Sequence, residues 1–248
     1  MSVWDDAKEL LDGLVADEDR DVVRWLDVDG TLREAGLHDY AALYAVPGLY
    51  EAVYFLHLEG RAPHLLAQAL AAAVPEPERA QRRVLDVGAG TGAVGSALGA
   101  VGFGPVTGTD LEPASARALL RDRPEAYAQA RTTDLTALTA DDRAWLAIVD
   151  PDVVTVAGAV GYGHLPVAAF AQLTRLLPAG GLLALTAAPG LGSDPELAPH
   201  AALLLGSAYE VVVRREGVHR QSTRGPLHVV ALVLRRTRQP LDGTGEDA

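Results

Sequence analysis

The chain of 248 residues contains no cysteine and only one lysine, Lys8. The lack of cysteine excludes disulfides, thiolate metal ligands and a cysteine nucleophile. No apolar run approaches the ~18–20 residues that cross a bilayer, so we expect no membrane span. The histidines and acids form no compact ligand set, so we expect no metal site. The acidic start, MSVWDDAKEL, lacks the pattern of a signal peptide, and we expect a cytoplasmic protein.

The composition is that of a globular and strongly acidic chain. Hydrophobic residues make up 49%, and the formal net charge is −12 at pH 7. A protein that holds nucleic acid by its phosphates needs a basic surface, so DNA and RNA are not expected as partners. The length is sufficient for one large domain with a substantial core.

Changes in composition along the chain predict four segments. The first is acidic, and Leu10, Leu11, Leu14 and Val15 lie in it at the spacing of a short amphipathic helix. The segments are an acidic N-terminal extension (1–36), a helical cap or substrate region (37–80), a core (81–237) and a disordered tail (238–248).

Strands and helices alternate through the core segment. Strands are predicted at 83–87, 105–110, 128–132, 152–157, 181–187, 209–215 and 228–235, and helices at 91–100, 113–121, 139–147, 166–177 and 196–206. Such alternation is typical of a doubly wound, Rossmann-like α/β fold with a mostly parallel sheet of seven strands. The last two strands have no helix between them, which predicts an antiparallel hairpin at the sheet edge, with an antiparallel last strand.

A glycine turn follows the first core strand, in the run RRVLDVGAGTGAVG of residues 82–95. A strand, a glycine turn and a helix together indicate a nucleotide-type cofactor site. Gly88, Gly90 and the following residues also satisfy the weak G-x-G-x-x-A pattern of NAD sites. Asp110 ends the second strand, where an acid can bind the ribose hydroxyls of NAD or of another nucleoside cofactor. Asp86 would repel a pyrophosphate and favour a cationic cofactor, unless it only caps the turn.

The ordered motifs VLDVGAGTG, TGTDLEP, TTDLTAL, VDPDVVTVAGAVGYGHLP and LTRLLPAGGLLALTAAP resemble the motif series of class I S-adenosylmethionine-dependent methyltransferases of the small-molecule type. The resemblance covers about residues 82–189 well and the final hairpin less specifically. It implies S-adenosyl-L-methionine as cofactor, with S-adenosyl-L-homocysteine as product, and an enzyme that methylates O or N of a small molecule.

The resemblance also implies roles for particular residues. The turn would lie against the methionine part of the cofactor, Asp110 would bind the ribose, and Asp134 would bind the adenine amino group. The implied cofactor-binding residues are Asp86, Gly88, Ala89, Gly90, Gly92, Asp110, Leu111, Asp134, Leu135 and Ala157. Asp110 and Asp134 also lie where strands end, so a capping role stays open for both.

The residues on the acceptor side are less well defined. His164 is the first candidate for a general base, because a neutral imidazole suits proton abstraction near pH 7. Alternatively, it caps the helix that begins near Pro166. Tyr162 can donate a hydrogen bond to the substrate or simply pack. Tyr40, Tyr44, Tyr50 and Tyr54 are candidates for the substrate pocket, and packing of an amphipathic helix is the alternative for these four tyrosines.

Other functions stay open from the sequence. Asp150–Pro151 falls where amino-methylating DNA enzymes carry an acid, two prolines and an aromatic, but the second proline and the aromatic are absent. A small molecule is therefore the expected partner, with no nucleic acid, no membrane, and a monomer or homodimer. The alternatives are a repurposed S-adenosylmethionine-binding protein and an NAD-dependent oxidoreductase, of which the second gives Asp86 no role.

Overall fold

The computed structural model describes residues 2–160 and 164–237. Its main sheet has seven strands. They are β4 (Val84–Val87), β5 (Val106–Asp110), β6 (Tyr127–Thr132), β7 (Val153–Val156), β8 (Leu182–Ala187), β9 (Tyr209–Arg220) and β10 (Leu227–Arg236). Their order across the sheet is β6-β5-β4-β7-β8-β10-β9. The strands pair in parallel, except that β10 runs antiparallel to both β8 and β9. The predicted fold class is confirmed.

Helices cover both faces of this sheet. Those that connect the strands are α6 (Ala93–Gly99), α7 (Pro113–Asp122), α8 (Ala140–Val149), α9 (Val167–Leu176) and α10 (Ala198–Leu204). Several begin where the sequence supplies a cap. The side chain of Glu112 accepts from the Ala114 N–H at the start of α7, and Thr139 with Asp142 forms a capping box on α8. The strand β8 is buried at every position because helices pack on both of its sides.

The first 36 residues contain more structure than the predicted helix. The helix α1 spans Val3–Leu11, and it is followed by a small antiparallel sheet of β1 (Val15–Asp17), β2 (Val22–Leu26) and β3 (Leu32–Ala35). The prediction that Leu14 and Val15 continue the helix is wrong. The turn at Asp12 and Gly13 ends the helix, and Val15 enters a strand.

Helical elements follow between residues 40 and 79, as the composition predicts. They are α2 (Tyr40–Ala45), α3 (Leu49–Glu51), a π-helical segment (Ala52–His57), α4 (Ala62–Ala73) and α5 (Glu76–Arg79). The helix α4 packs against β8, β9 and β10, so it covers the sheet itself. The earlier elements pack around α7 and form a cap above the carboxyl ends of β4 and β5.

Polar contacts join the small N-terminal sheet to the last hairpin. The guanidinium of Arg220 lies 2.5 Å from the Glu18 carboxylate, and the same carboxylate accepts from the Thr223 N–H at 3.1 Å. The side chain of Arg224 lies 3.0 Å from Asp19. The N-terminal sheet is therefore held over the cap by residues from the far end of the sequence. The tail predicted at 238–248 lies outside the described residues.

Candidate functional site

The glycine turn between β4 and α6 has a backbone that only glycine adopts without strain. Gly88, Gly90 and Gly92 have φ angles of +69°, +54° and +90°. The Gly88 and Ala89 N–H groups both donate to the Thr109 carbonyl oxygen, at 2.9 and 3.1 Å. A Cβ at position 90 would lie 2.9 Å from the Tyr44 hydroxyl. The cap therefore approaches the turn so closely that a side chain at position 90 would have no room.

Asp110 lies at the end of β5 and is tied to this turn. Its carboxylate accepts from the Gly90 N–H at 2.8 Å and from the Glu112 N–H at 2.9 Å. Burial raises the pKa of Asp110, and these hydrogen bonds oppose that rise. Asp110 therefore makes the hydrogen bonds expected of a residue that caps a strand end, and it also lines the cavity above the turn. The capping role and the proposed binding role are compatible at this position.

Asp86 lies beneath the turn instead of beside a ligand. It is fully buried, and its two carboxylate oxygens accept from the hydroxyls of Tyr127 at 2.6 Å and Thr155 at 2.7 Å. Thr155 is its register partner on the adjacent strand. The structure does not place Asp86 in direct contact with the cavity, so the predicted contact with the cofactor needs correction. Asp86 could therefore influence a positively charged ligand in the cavity only by long-range electrostatic interaction, without direct contact.

Burial raises the pKa of Asp86 to about 7 despite its two hydroxyl donors. The folded state therefore binds a proton that the unfolded chain has lost, and stability falls as pH rises toward 7. We expect the free energy of unfolding to lose about 2 kcal/mol of this contribution between pH 5 and pH 7. In Asp86→Asn that part of the pH dependence should be absent. Urea unfolding of both proteins at the two pH values measures it, and parallel pH profiles would contradict it.

A cavity of about 480 Å³ lies above the carboxyl ends of β4, β5 and β7. Gly88, Ala157 and Gly158 form part of its floor, and Tyr40, Tyr44 and Tyr50 come from the cap. Its charged side chains are the acids Asp39, Asp110, Glu112 and Asp134, and neither arginine nor lysine is among its described lining residues. The cavity therefore favours a positively charged or neutral ligand over an anionic one.

One end of this cavity has the residues predicted to hold an adenine. Leu111 is 67% exposed and Leu135 is buried, and both line the cavity. Oδ1 of Asp134 accepts from the backbone N–H and the hydroxyl of Thr136, at 2.8 and 2.6 Å. These two bonds lower the pKa of Asp134. The capping alternative for Asp134 is therefore present in the structure, at a position that also lines the cavity.

The four candidate tyrosines lie together even though Pro47 and Gly48 interrupt the helices. Ring centroids are 5.7 Å apart for Tyr40 and Tyr44, 5.2 Å for Tyr44 and Tyr50, and 4.6 Å for Tyr50 and Tyr54. Tyr40, Tyr44 and Tyr50 line the large cavity. The hydroxyl of Tyr54 donates to the Leu37 carbonyl at 2.7 Å, and the Tyr54 side chain lines a second cavity.

This second cavity, of about 90 Å³, adjoins the first. Its remaining wall includes Phe55 of the π-helical segment and His219 and Arg220 of β9. Burial lowers the pKa of His219 to about 4, so its imidazole is neutral at physiological pH. The residues that line both cavities are Tyr44, Tyr50, Gly88, Ala157 and Gly158.

Two histidines lie at the rim of the large cavity. His164 lines it, and its pKa is lowered by partial burial and by His38. The capping alternative for His164 is wrong, because Pro166 is the N-cap of α9 and receives no capping side chain. His38 lines the cavity as well, with its ring centroid 6.5 Å from that of His164. Tyr162 lies outside the described residues.

A buried ion pair ties the cap to the glycine turn. Nη1 of Arg123 donates to Oε1 of Glu51 at 2.7 Å and to the Thr91 carbonyl at 2.6 Å. The Thr91 hydroxyl donates to the same Oε1 at 2.6 Å. This pair was not predicted from the sequence. Glu51 and Arg123 are 72 positions apart, and only the acid in an otherwise apolar helical run hinted at it.

The structure adds one observation on metal binding and one on membrane-spanning helices. No cluster of three or more His, Cys, Asp or Glu side chains that could hold a metal is present among residues 2–160 and 164–237. Within the same ranges, no helix combines the length and the apolar character that a membrane crossing requires.

Comparisons with known proteins agree with this geometry. Residues 85–183 match the family model described as a methyltransferase domain, and no curated protein matches the chain. Magnesium protoporphyrin IX methyltransferase from Synechocystis with bound S-adenosylmethionine superposes with a TM-score of 0.50 and 18% identity, covering 70% of this chain and 79% of that one. Its complex with S-adenosylhomocysteine superposes with a TM-score of 0.50 and 21% identity, covering 70% of this chain and 83% of that one.

A Thermoplasma acidophilum protein superposes with a TM-score of 0.51 and 12% identity, over 70% of this chain and 86% of that one. At these identities the superpositions describe the fold, and the family model matches the part of the sheet that carries the glycine turn. Residues 85–183 thus match a methyltransferase domain, and they lie in a sheet that has the fold of the superposed methyltransferase.

Proposed function

We propose that this protein transfers the methyl group of S-adenosyl-L-methionine to an oxygen or nitrogen atom of a small molecule. The observation that supports this proposal best is the charge of the large cavity. Four acids and no described arginine or lysine line it, directly above the glycine turn. A dinucleotide would bring its anionic pyrophosphate to this turn, whereas S-adenosylmethionine brings a sulfonium and an ammonium.

The residues present fit this cofactor. Asp110, fixed by two backbone N–H groups, would accept from the ribose hydroxyls, and Leu111 and Leu135 would offer apolar surface to the adenine. Gly88 and Ala157 line both cavities, and the amino-acid part of the cofactor would lie along them where the two cavities adjoin. When bound, the cofactor supplies an activated methyl group, so the protein itself need only position, desolvate and deprotonate the acceptor.

The cap contributes the acceptor side of the site. Tyr44 is buried, Tyr50 is partly buried, and both lie over the turn, where they exclude water from the reacting atoms. Tyr40 and His164 lie at the rim, where an acceptor enters, and His164 can exchange hydrogen bonds with it in its neutral form. A small molecule is favoured because the cap covers this end of the sheet and the acidic surface disfavours nucleic acid.

Loss of the Asp110 carboxylate tests the cofactor site. We expect Asp110→Ala to weaken S-adenosylhomocysteine binding by about 1–3 kcal/mol, the range for hydrogen bonds to a charged group, which is about 5- to 150-fold. Isothermal titration measures the affinity. The control is Asp141→Ala, since Asp141 is an exposed acid at the start of α8. Equal affinity of the Asp110 variant and wild type would show that the site is misplaced.

A methyl-release assay with a panel of phenols, alcohols and amines separates an enzyme from a repurposed cofactor-binding protein. The proposed enzyme methylates at least one member of the panel, whereas a binding protein retains the cofactor without turnover. An NAD-dependent oxidoreductase would bind NAD tightly and ignore S-adenosylmethionine. That result would overturn the proposal as a whole.

A further inference from the structure

The rim of the large cavity contains an imidazole–carboxylate pair. Nδ1 of His38 lies 2.6 Å from Oδ1 of Asp21, and the His38 side chain lines the cavity. Asp21 comes from the turn between β1 and β2, whereas His38 precedes α2. The Leu37 N–H also donates to the backbone carbonyl of Asp21, at 3.3 Å. Backbone and side chain of Asp21 together therefore hold the segment that carries His38.

The backbone of Asp21 is itself unusual. Its φ angle is +53°, a conformation that few residues other than glycine adopt. Such a backbone persists where the surrounding structure holds it, and it is found often at functional sites. Here it places the carboxylate against Nδ1 of His38. When Nδ1 carries the proton toward Asp21, Nε2 carries the lone pair that can accept a second proton.

We propose that His38, oriented by Asp21, is the general base of the methyl transfer, and that the acceptor is a phenolic hydroxyl. This inference rests on the proposed function. As the phenol oxygen forms its bond to the methyl carbon, its proton passes to Nε2 of His38. The C–S bond breaks, its electron pair stays on sulfur, and the sulfonium becomes a neutral thioether. Asp21 stabilises the imidazolium that results.

The surroundings of His38 favour a phenol over other acceptors. The rings of Tyr40 and His164 lie 6.3 and 6.5 Å from that of His38, so the rim presents flat aromatic surface. A carboxylate acceptor needs no base, and the acids of the cavity would repel it. A phenol is neutral, packs on aromatic rings and must lose a proton as it is methylated.

His38 satisfies one requirement of a base that His164 does not. A base becomes positively charged during the step, and a carboxylate in contact with it stabilises that charge. His38 has such a partner in Asp21, and among the described residues no carboxylate pairs with His164. His164 lies with its ring 6.4 Å from that of Tyr40, where it can bind the acceptor without taking its proton. We therefore assign acceptor binding to His164 and proton transfer to His38.

The test uses 4-nitrophenol as a probe, because its phenolate absorbs visible light and its phenol form does not. With S-adenosylhomocysteine bound, wild-type protein at pH 7 should hold a larger phenolate fraction of bound probe than the free probe shows. His38→Gln and Asp21→Asn should abolish this increase. His164→Ala should keep it and weaken probe binding. His64→Gln is the matched control, since His64 is an exposed histidine of α4.

Turnover supplies a second measurement once the panel yields an accepted phenol. His38→Gln should lower kcat about 100-fold or more, within the range for a general base, with little change in KM. Failure of wild-type protein to bind S-adenosylhomocysteine would refute the proposed function itself. If S-adenosylhomocysteine binds, the inference is overturned by absent probe binding, by an unchanged phenolate fraction, or by an increase that survives in His38→Gln.

Discussion

Arg123→Met should lower the free energy of unfolding by about 3–5 kcal/mol, the cost of removing one partner of a buried ion pair. The side chains of Arg123 and Glu51 are only 4% and 1% exposed. The substitution leaves the Glu51 carboxylate buried with only the Thr91 hydroxyl as donor among the described residues. It also removes the bond from Arg123 to the Thr91 carbonyl, so the glycine turn loses a contact. Urea unfolding measures the loss.

Two further variants show whether the buried charge is the cause. The double variant Glu51→Leu with Arg123→Met removes both charges and should recover most of the lost stability. Arg82→Met breaks the solvent-accessible pair with Glu78, four residues away, and should cost less than about 1 kcal/mol. A loss below about 1 kcal/mol in Arg123→Met, or no recovery in the double variant, would show that the pair does not stabilise the cap.

Gly95→Ala is expected to be the most damaging small substitution in the core. A Cβ at this position would lie 2.4 Å from Cε2 of Tyr127, closer than real carbon contacts allow. The hydroxyl of Tyr127 accepts from the Gly95 N–H at 3.0 Å and donates to Asp86, so the ring cannot move without breaking both bonds. We expect a loss of about 1–3 kcal/mol or more from overpacking, together with weaker S-adenosylhomocysteine binding as the turn shifts.

Gly99→Ala is the matched control for this prediction. Gly99 ends the same helix, and a Cβ there would meet nothing within 4 Å. Alanine should therefore stabilise the protein by up to about 1 kcal/mol through its higher helix propensity. Thermal unfolding of the two variants beside wild type separates a steric effect at position 95 from a general effect of alanine. Equal melting temperatures for the two variants would contradict the packing argument.

The core was predictable because its physical signals are local. Apolar runs of strand length, separated by amphipathic helices, gave all seven strands of the main sheet to within a few residues except β9, which continues to Arg220. The close packing of Gly95 against Tyr127 and the open surroundings of Gly99 are not local signals, because they depend on the strand that carries Tyr127.

The site was predictable only where the ends of adjacent parallel strands carry the contacts. The turn and Asp110 are such a case, because strand order brings the ends of β4 and β5 together. The contact of His38 with Asp21 depends on the small N-terminal sheet, which is too short and too acidic to show a clear alternation. The burial of Asp86 was equally hidden, because its donors Tyr127 and Thr155 come from two other strands.

The contact between the N-terminal sheet and the last hairpin has a consequence for biosynthesis. Glu18 and Arg220 are 202 positions apart, so the ribosome releases one long before the other exists. Because these partners arrive last, the polar contacts between the first 36 residues and the hairpin form only after the rest of the sheet has been synthesised. Chains that stop before the final hairpin should therefore keep the apolar packing of the N-terminal sheet and lack these polar contacts.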